Sequence, residues 1–163
     1  MIKQKVYLET TLFNFYIDES RGKYHADTVS LFEEIAAGKY DAYTSGFVIE
    51  ELEEADKEKC DMMLGLIPKY GITILPKNDE ADRLADIYIA EGMIPKKYRM
   101  DAVHIAYATV NDLDTIISLN FEHIVKRKTI IMTEAINIMN GHHAVEIYSP
   151  AEVVEYEEKD RSY

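Results

Sequence analysis

MDAVHIAYATVNDLDTIISLN, residues 100–120, decides how this chain is built. After Asp101 its first half, 100–110, is apolar nearly all the way round. A helix of that kind must be buried on most sides. Its second half holds a short β-branched run, 115–119, that reads as a strand. The same alternation of helix and strand extends in both directions from this stretch.

Toward the N-terminus, residues 6–8 form a short apolar strand, and Thr10 and Thr11 are N-cap candidates for a helix from Leu12 to about Ile17. Residues 28–37 put Val29, Phe32, Ile35 and Ala36 on one helical face, with Gly38 as the stop. A second strand covers 40–44, and Ser45 is expected to cap a helix running through Ala55. Another helix, about 57–70, ends at Gly71, and a third strand, 72–75, is closed by Pro76. Asn78 or Asp79 then caps a helix with Ala81, Leu84, Ala85, Tyr88 and Ile89 on one side, ending at Gly92. Toward the C-terminus follow a helix at 133–139, a strand at 145–148 and a short last helix. Alternation from end to end predicts a mainly parallel central sheet with helices on both faces, a three-layer α/β/α sandwich. With no repeat, low-complexity tract or Gly/Ser linker, one domain over residues 1–163 is expected.

Composition narrows the function classes. The 163 residues are 47% hydrophobic and 29% charged, a globular balance that argues against disorder. No apolar run approaches the roughly 18 residues that span a bilayer, so no membrane contact is expected. The start, MIKQKVYLET, reads as a strand rather than a secretory signal. Cys60 is the single cysteine and can form no internal disulfide. A cytoplasmic location follows as the expectation. Lysine and arginine total 18 against 30 acids, a net charge of −12. That charge opposes a polyanion at the surface as a whole, so any nucleic-acid contact must overcome it locally. Acidic runs at 50–54, 79–86 and 152–160 read as solvated faces.

Open α/β sheets bind ligands beyond the carboxyl ends of their strands. Glu9 follows the first strand, Glu50 and Glu51 lie in the helix after the second, and Asn120 follows a later strand. With Val48, Leu52 and Ala55 setting the buried face, Glu51 falls about 60–80° from its centre and Glu50 nearly opposite. Glu51 is therefore the one expected in the crevice. Asp101 opens the buried helix, where a carboxylate is costly unless paired, hydrogen-bonded or bound to metal. The plain alternative is an aspartate capping its own first turn. Gathered together, Glu9, Glu51 and Asp101 would repel strongly, and a hard divalent cation relieves that repulsion. Magnesium or manganese suits an all-oxygen set, and zinc does not.

Three blocks in this order resemble the PIN-domain family. VYLETTLFNFY is similar to its opening strand with an acid at the end, Glu9. TSGFVIEEL resembles its Ser/Thr followed six residues later by Glu, here Ser45 and Glu51. MDAVHIAYATVNDLDTIISLNFEHI resembles its third acid, buried helix, strand and polar fourth position, Asp101 and Asn120. The blocks span residues 6 to 124. The resemblance implies a magnesium- or manganese-dependent endoribonuclease acting on RNA, often the toxin of a VapC-type pair with an antitoxin protein as partner, and often a homodimer. Its metal ligands would be Glu9, Glu51 and Asp101, with Asn120 assisting catalysis. Two positions depart from the pattern. Glu9 stands where aspartate is usual, adding a methylene. Asn120 stands where aspartate is common, removing a charge that would help hold a second metal, and Glu122 is a candidate replacement. The alternative is a PIN fold with weak or no activity that serves as a binding module. A second rival, a haloacid-dehalogenase-type hydrolase, would need aspartates where Glu9 and Thr11 stand, and the sequence does not supply them.

Other polar residues receive plainer readings. His104 is expected in the core, able to hydrogen-bond Asp101 one turn away. His123 reads as a surface residue near the crevice rim, and His142–His143 lacks partners at metal-ligand spacing. Lys96, Lys97 and Arg99 precede Asp101, and Lys126, Arg127 and Lys128 follow Asn120. They read as solvated loop ends, with a phosphate-binding rim as the alternative.

Overall fold

A computed structural model describes residues 2–156, so part of the 152–160 run lies outside the described residues. Five parallel strands form the sheet: β1 (Gln4–Leu8), β2 (Tyr40–Ser45), β3 (Thr73–Leu75), β4 (Thr115–Ile117) and β5 (Glu146–Tyr148). Their spatial order is β3-β2-β1-β4-β5. The chain builds outward from β1 to β3, then returns to add β4 and β5 on the other side. The order therefore reverses between β1 and β4, where Leu8 pairs with Ile117. Such a switch point opens a crevice at the carboxyl ends of the two strands.

The helices α1 (Thr10–Tyr16), α2 (Lys23–Ala36), α3 (Gly46–Leu52), α4 (Lys57–Leu64), α5 (Leu66–Lys69), α6 (Asp79–Ala90), α7 (Arg99–Val110), α8 (Arg127–Met139) and α9 (Pro150–Val153) flank it in three layers. Helix α7 is buried from Ala102 through Thr109, as its all-round apolar character requires. Helix α6 packs along it, and α2 packs against α1 and α9.

Several boundaries differ from the sequence reading for identifiable reasons. Helix α1 begins at Thr10, because Glu9 rather than Thr10 or Thr11 is the N-cap. Helix α2 begins at Lys23, well before residue 28, since its first turns are largely exposed and carry no apolar period. The 57–70 helix is split at Gly65 into α4 and α5. Pro68, in α5, has no N–H to offer the Leu64 carbonyl. Helix α8 starts at Arg127 rather than 133, with an inverted pattern: Thr129 and Thr133 are buried while Ile131 and Ile138 are exposed. Asp101 does not open α7 but lies in its first turn, and the N-cap position belongs to Tyr98. Ser45 occupies the N-cap position of α3 without a side-chain capping bond, because its hydroxyl is engaged by Tyr7.

Candidate metal centre and its surroundings

At the switch point the end of β1 is stitched to the end of β4. The Glu9 amide donates to the Ile117 carbonyl (3.2 Å), and the Glu9 side chain turns back to cap α1. Its Oε1 accepts from the Thr11 amide (3.1 Å), the Thr11 hydroxyl and the Ser118 hydroxyl (2.7 Å). Thr11 Oγ1 in turn accepts from the Leu119 amide (2.8 Å), and Ser118 Oγ accepts from the Asn120 amide (2.9 Å). Strand β4 therefore ends at Ile117, because the next residues bend to serve this carboxylate. Glu9 is only 3% exposed, and burial pushes its carboxyl above the ordinary range against the pull of His104, Thr11 and Ser118.

Glu51 reaches the same place from α3, with its side chain 31% exposed, whereas Glu50 is exposed to solvent. Glu51 Oε1 accepts from Thr10 Oγ1 (3.0 Å) and from His104 Nε2 (2.5 Å). Burial alone would raise this carboxyl; the bonds from His104 and Thr10 outweigh it and hold it below its usual value. His104 is fully buried and continues inward: Nδ1 meets the Tyr7 hydroxyl (2.7 Å), which meets Ser45 Oγ (2.7 Å). Burial works against the imidazolium, yet the Glu51 bond and the charges of Glu9 and Asp101 raise His104 above its ordinary pKa. The sequence reading paired His104 with Asp101; in the folded chain its bonds go to Glu51 and Tyr7.

Asp101 is instead met by His123, whose Nδ1 lies 3.0 Å from Asp101 Oδ2. His123 stacks on Tyr98 with ring centroids 3.9 Å apart, and its amide donates to Asn120 Oδ1 (3.0 Å). The surface reading of His123 gives way to this contact. The turn from Asn120 to His123 is what aims the ring, and spacing alone carries no such signal. Asn120 therefore caps that turn with its oxygen and turns its amide toward Asp101. Burial raises the Asp101 carboxyl, opposed by His104, His123 and Asn120. Glu122, the candidate for a replacement anion, is 80% exposed and faces His123 Nε2 at 3.8 Å. Arg99 is tied to Asp86 (2.8 Å) and Lys97 lies over the Tyr98 ring, while Lys126 and Lys128 line a hollow beside His123.

Among the described residues no three His, Cys, Asp or Glu side chains stand as a ready-made metal cluster. The donor chemistry nevertheless fits a hard cation. The candidate ligands are carboxylates, and Oε2 of both Glu9 and Glu51 has no hydrogen-bond partner among the described residues. Glu9, Glu51 and Asp101 act on His104, and His123 adds a second imidazole at Asp101, so charges of like sign are held close together. Two unit charges at 4 Å interact by about 4 kcal/mol at an effective dielectric near 20.

Two expected results follow from this geometry. Glu51→Gln should weaken manganese binding at least tenfold by calorimetry, whereas Glu50→Gln should leave it unchanged. Equal losses would reject the assignment of Glu51. The raised Glu9 carboxyl makes a second, pH-dependent test. A carboxyl raised on folding contributes stability that is present below its unfolded pKa, about 4.3, and lost as pH rises through the folded value. The melting temperature of metal-free Glu9→Gln should therefore gain on wild type as pH rises above about 4. A difference constant with pH would show that Glu9 does not titrate as its burial requires.

The fold and the crevice together define an α/β protein of PIN-like architecture, with acids gathered at the switch point of a parallel sheet. Among solved structures, the chain is similar to one chain of VapBC2 from Rickettsia felis, crystallised bound to a DNA fragment from their promoter. The two share 13% identity with a TM-score of 0.55, over 90% of this chain and 98% of the other. The two chains share a fold, a PIN-like arrangement of helices around a parallel five-stranded sheet. No protein-family model and no curated protein matches the sequence. Among the described residues no helix is long and apolar enough to cross a membrane.

Proposed function

We propose that this chain is a magnesium- or manganese-dependent endoribonuclease that hydrolyses phosphodiester bonds of RNA. The observation that carries the reading is the convergence of Glu9, Glu51 and Asp101 around buried His104 at the switch point. Glu9, Glu51 and Asp101 would hold the cation, with Asn120 beside Asp101. When bound, a divalent cation supplies an activated water and polarises the scissile phosphate. The protein's own groups set the orientation of the ligands. Thr11 and Ser118 fix Glu9 by its Oε1, His104 and Thr10 fix Glu51, and His123 with Asn120 fixes Asp101. Such supporting bonds are worth about 10–100-fold in metal affinity or activity.

The likeness to a chain of VapBC2 supports a toxin role, with a small antitoxin protein as the partner that restrains the enzyme. A second reading, a PIN fold that binds without cutting, draws on two observations. Glu51 and Asp101 each already have an imidazole partner, and Asn120 serves a turn. The test is incubation of the purified chain with single-stranded RNA and manganese, with and without EDTA. Cleavage that EDTA abolishes supports the nuclease; manganese binding without cleavage turns the assignment to the binding module.

A further inference from the structure

Beside the metal centre lies a second feature that its chemistry does not use. A pocket of about 440 Å³ opens between α3, the end of β3 and α7, within the range of small-ligand sites. The same two helices that present the acids form its walls. Glu50 precedes Glu51 on α3, and Arg99 lies two residues before Asp101 on α7. The pocket stands beyond the carboxyl ends of β2 and β3, the next strands over from β1. Neighbouring strands are about 4.8 Å apart, so it lies within reach of the nucleotides that flank a bond held at Glu9.

Its lining combines an apolar wall with balanced charge. Phe47 is half-buried and packs edge-on against Tyr107, with ring centroids 5.2 Å apart, and Leu75 completes the apolar side. Lys77 and Arg99 offset Glu50 and Asp82, making the pocket locally neutral in a chain of net charge −12. Arg99 is engaged within the protein, with the Asp86 carboxylate and the Asp82 carbonyl, and the Tyr107 hydroxyl accepts from the Asn78 amide. Lys77 is exposed at the mouth and has no ion-pair partner among the described residues. An aromatic wall with an exposed cation beside it suits a base and its phosphate. Base–aromatic stacking and backbone charge are the two terms by which single strands are held.

We propose that this pocket is a nucleotide subsite, taking one base of single-stranded RNA against Phe47 and the adjoining phosphate at Lys77. The assignment rests on the nuclease reading for its substrate, but its test does not require cleavage. The full chain carrying Asp101→Asn, which spares the RNA, is titrated with fluorescein-labelled single-stranded RNA in magnesium, and binding is read by anisotropy. Adding Phe47→Leu should weaken binding about tenfold, within the range for loss of one stacked base. Adding Lys77→Ala should weaken it about fivefold and reduce the slope of log affinity against log salt by about 0.7, the value for one phosphate contact on a single strand. Because Lys77 is exposed, its variant stays informative if Phe47→Leu disturbs folding. An oligonucleotide with one abasic position in the subsite should bind equally to the Asp101→Asn protein and to its Phe47→Leu derivative.

If both variants bind like their parent while wild type cleaves RNA, the subsite is wrong and the nuclease reading stands. If both weaken binding while wild type cleaves nothing in manganese, the subsite stands and the nuclease reading falls. If the Asp101→Asn parent binds no RNA, the subsite is overturned.

Discussion

Asp101→Asn should lower kcat/KM for RNA cleavage at least about 100-fold and weaken manganese binding by a comparable factor. The side chain keeps its size and its place in the first turn of α7, so the change is one of charge. Burial raises the Asp101 carboxyl above its usual range, and His104, His123 and Asn120 oppose that shift. An amide needs no such support and offers a cation far less. The metal-free variant should melt at or slightly above wild type, because a half-buried charge beside Glu51 has been removed. Calorimetry with manganese and thermal melts in EDTA supply the two readings. Manganese affinity equal to wild type would take Asp101 out of the ligand set and, with it, the site as drawn.

Asn120→Asp should act in opposite directions with and without metal. The Asn120 oxygen caps the turn through the His123 amide, and an aspartate oxygen can do the same. The other half of the side chain differs, since an amide that favours the Asp101 carboxylate becomes a second carboxylate. At short range that repulsion costs roughly 1–3 kcal/mol at an effective dielectric near 20. A melting temperature lower by about 2–12 °C is expected in EDTA for a domain of this size. Added manganese should recover more than the loss, because a fourth anion raises its affinity and binding stabilises the folded state by mass action. If neither the melt nor the metal dependence moves, Asn120 serves only its turn and the site has three members.

Much of the architecture was legible because it depends on local period. The unbroken apolar face of α7 required burial, and alternation of strands with helices required a parallel sheet. Position along those elements then placed Glu9, Glu51 and Asp101 near one end of the sheet, and the helical wheel separated half-buried Glu51 from exposed Glu50. Where local period misleads, the boundaries slipped. In α8 threonines face inward and isoleucines outward, so an apolar count begins the helix a turn and a half late.

The sequence by itself thus determined the fold class, the burial of α7 and which acids share an end of the sheet. Only the tertiary structure decided which group holds which. His104 lies one helical turn from Asp101, yet it bonds Glu51, fifty-three residues away, and Tyr7. His123 reaches Asp101 because Asn120 closes a turn and Tyr98 supplies a ring to stack on. Ser118, just past the end of β4, fixes Glu9 across 109 residues of chain. Local spacing governs which face of an element a side chain occupies. Its hydrogen-bond partner is chosen among all groups that the fold brings within about 3 Å, and sequence distance does not enter that choice.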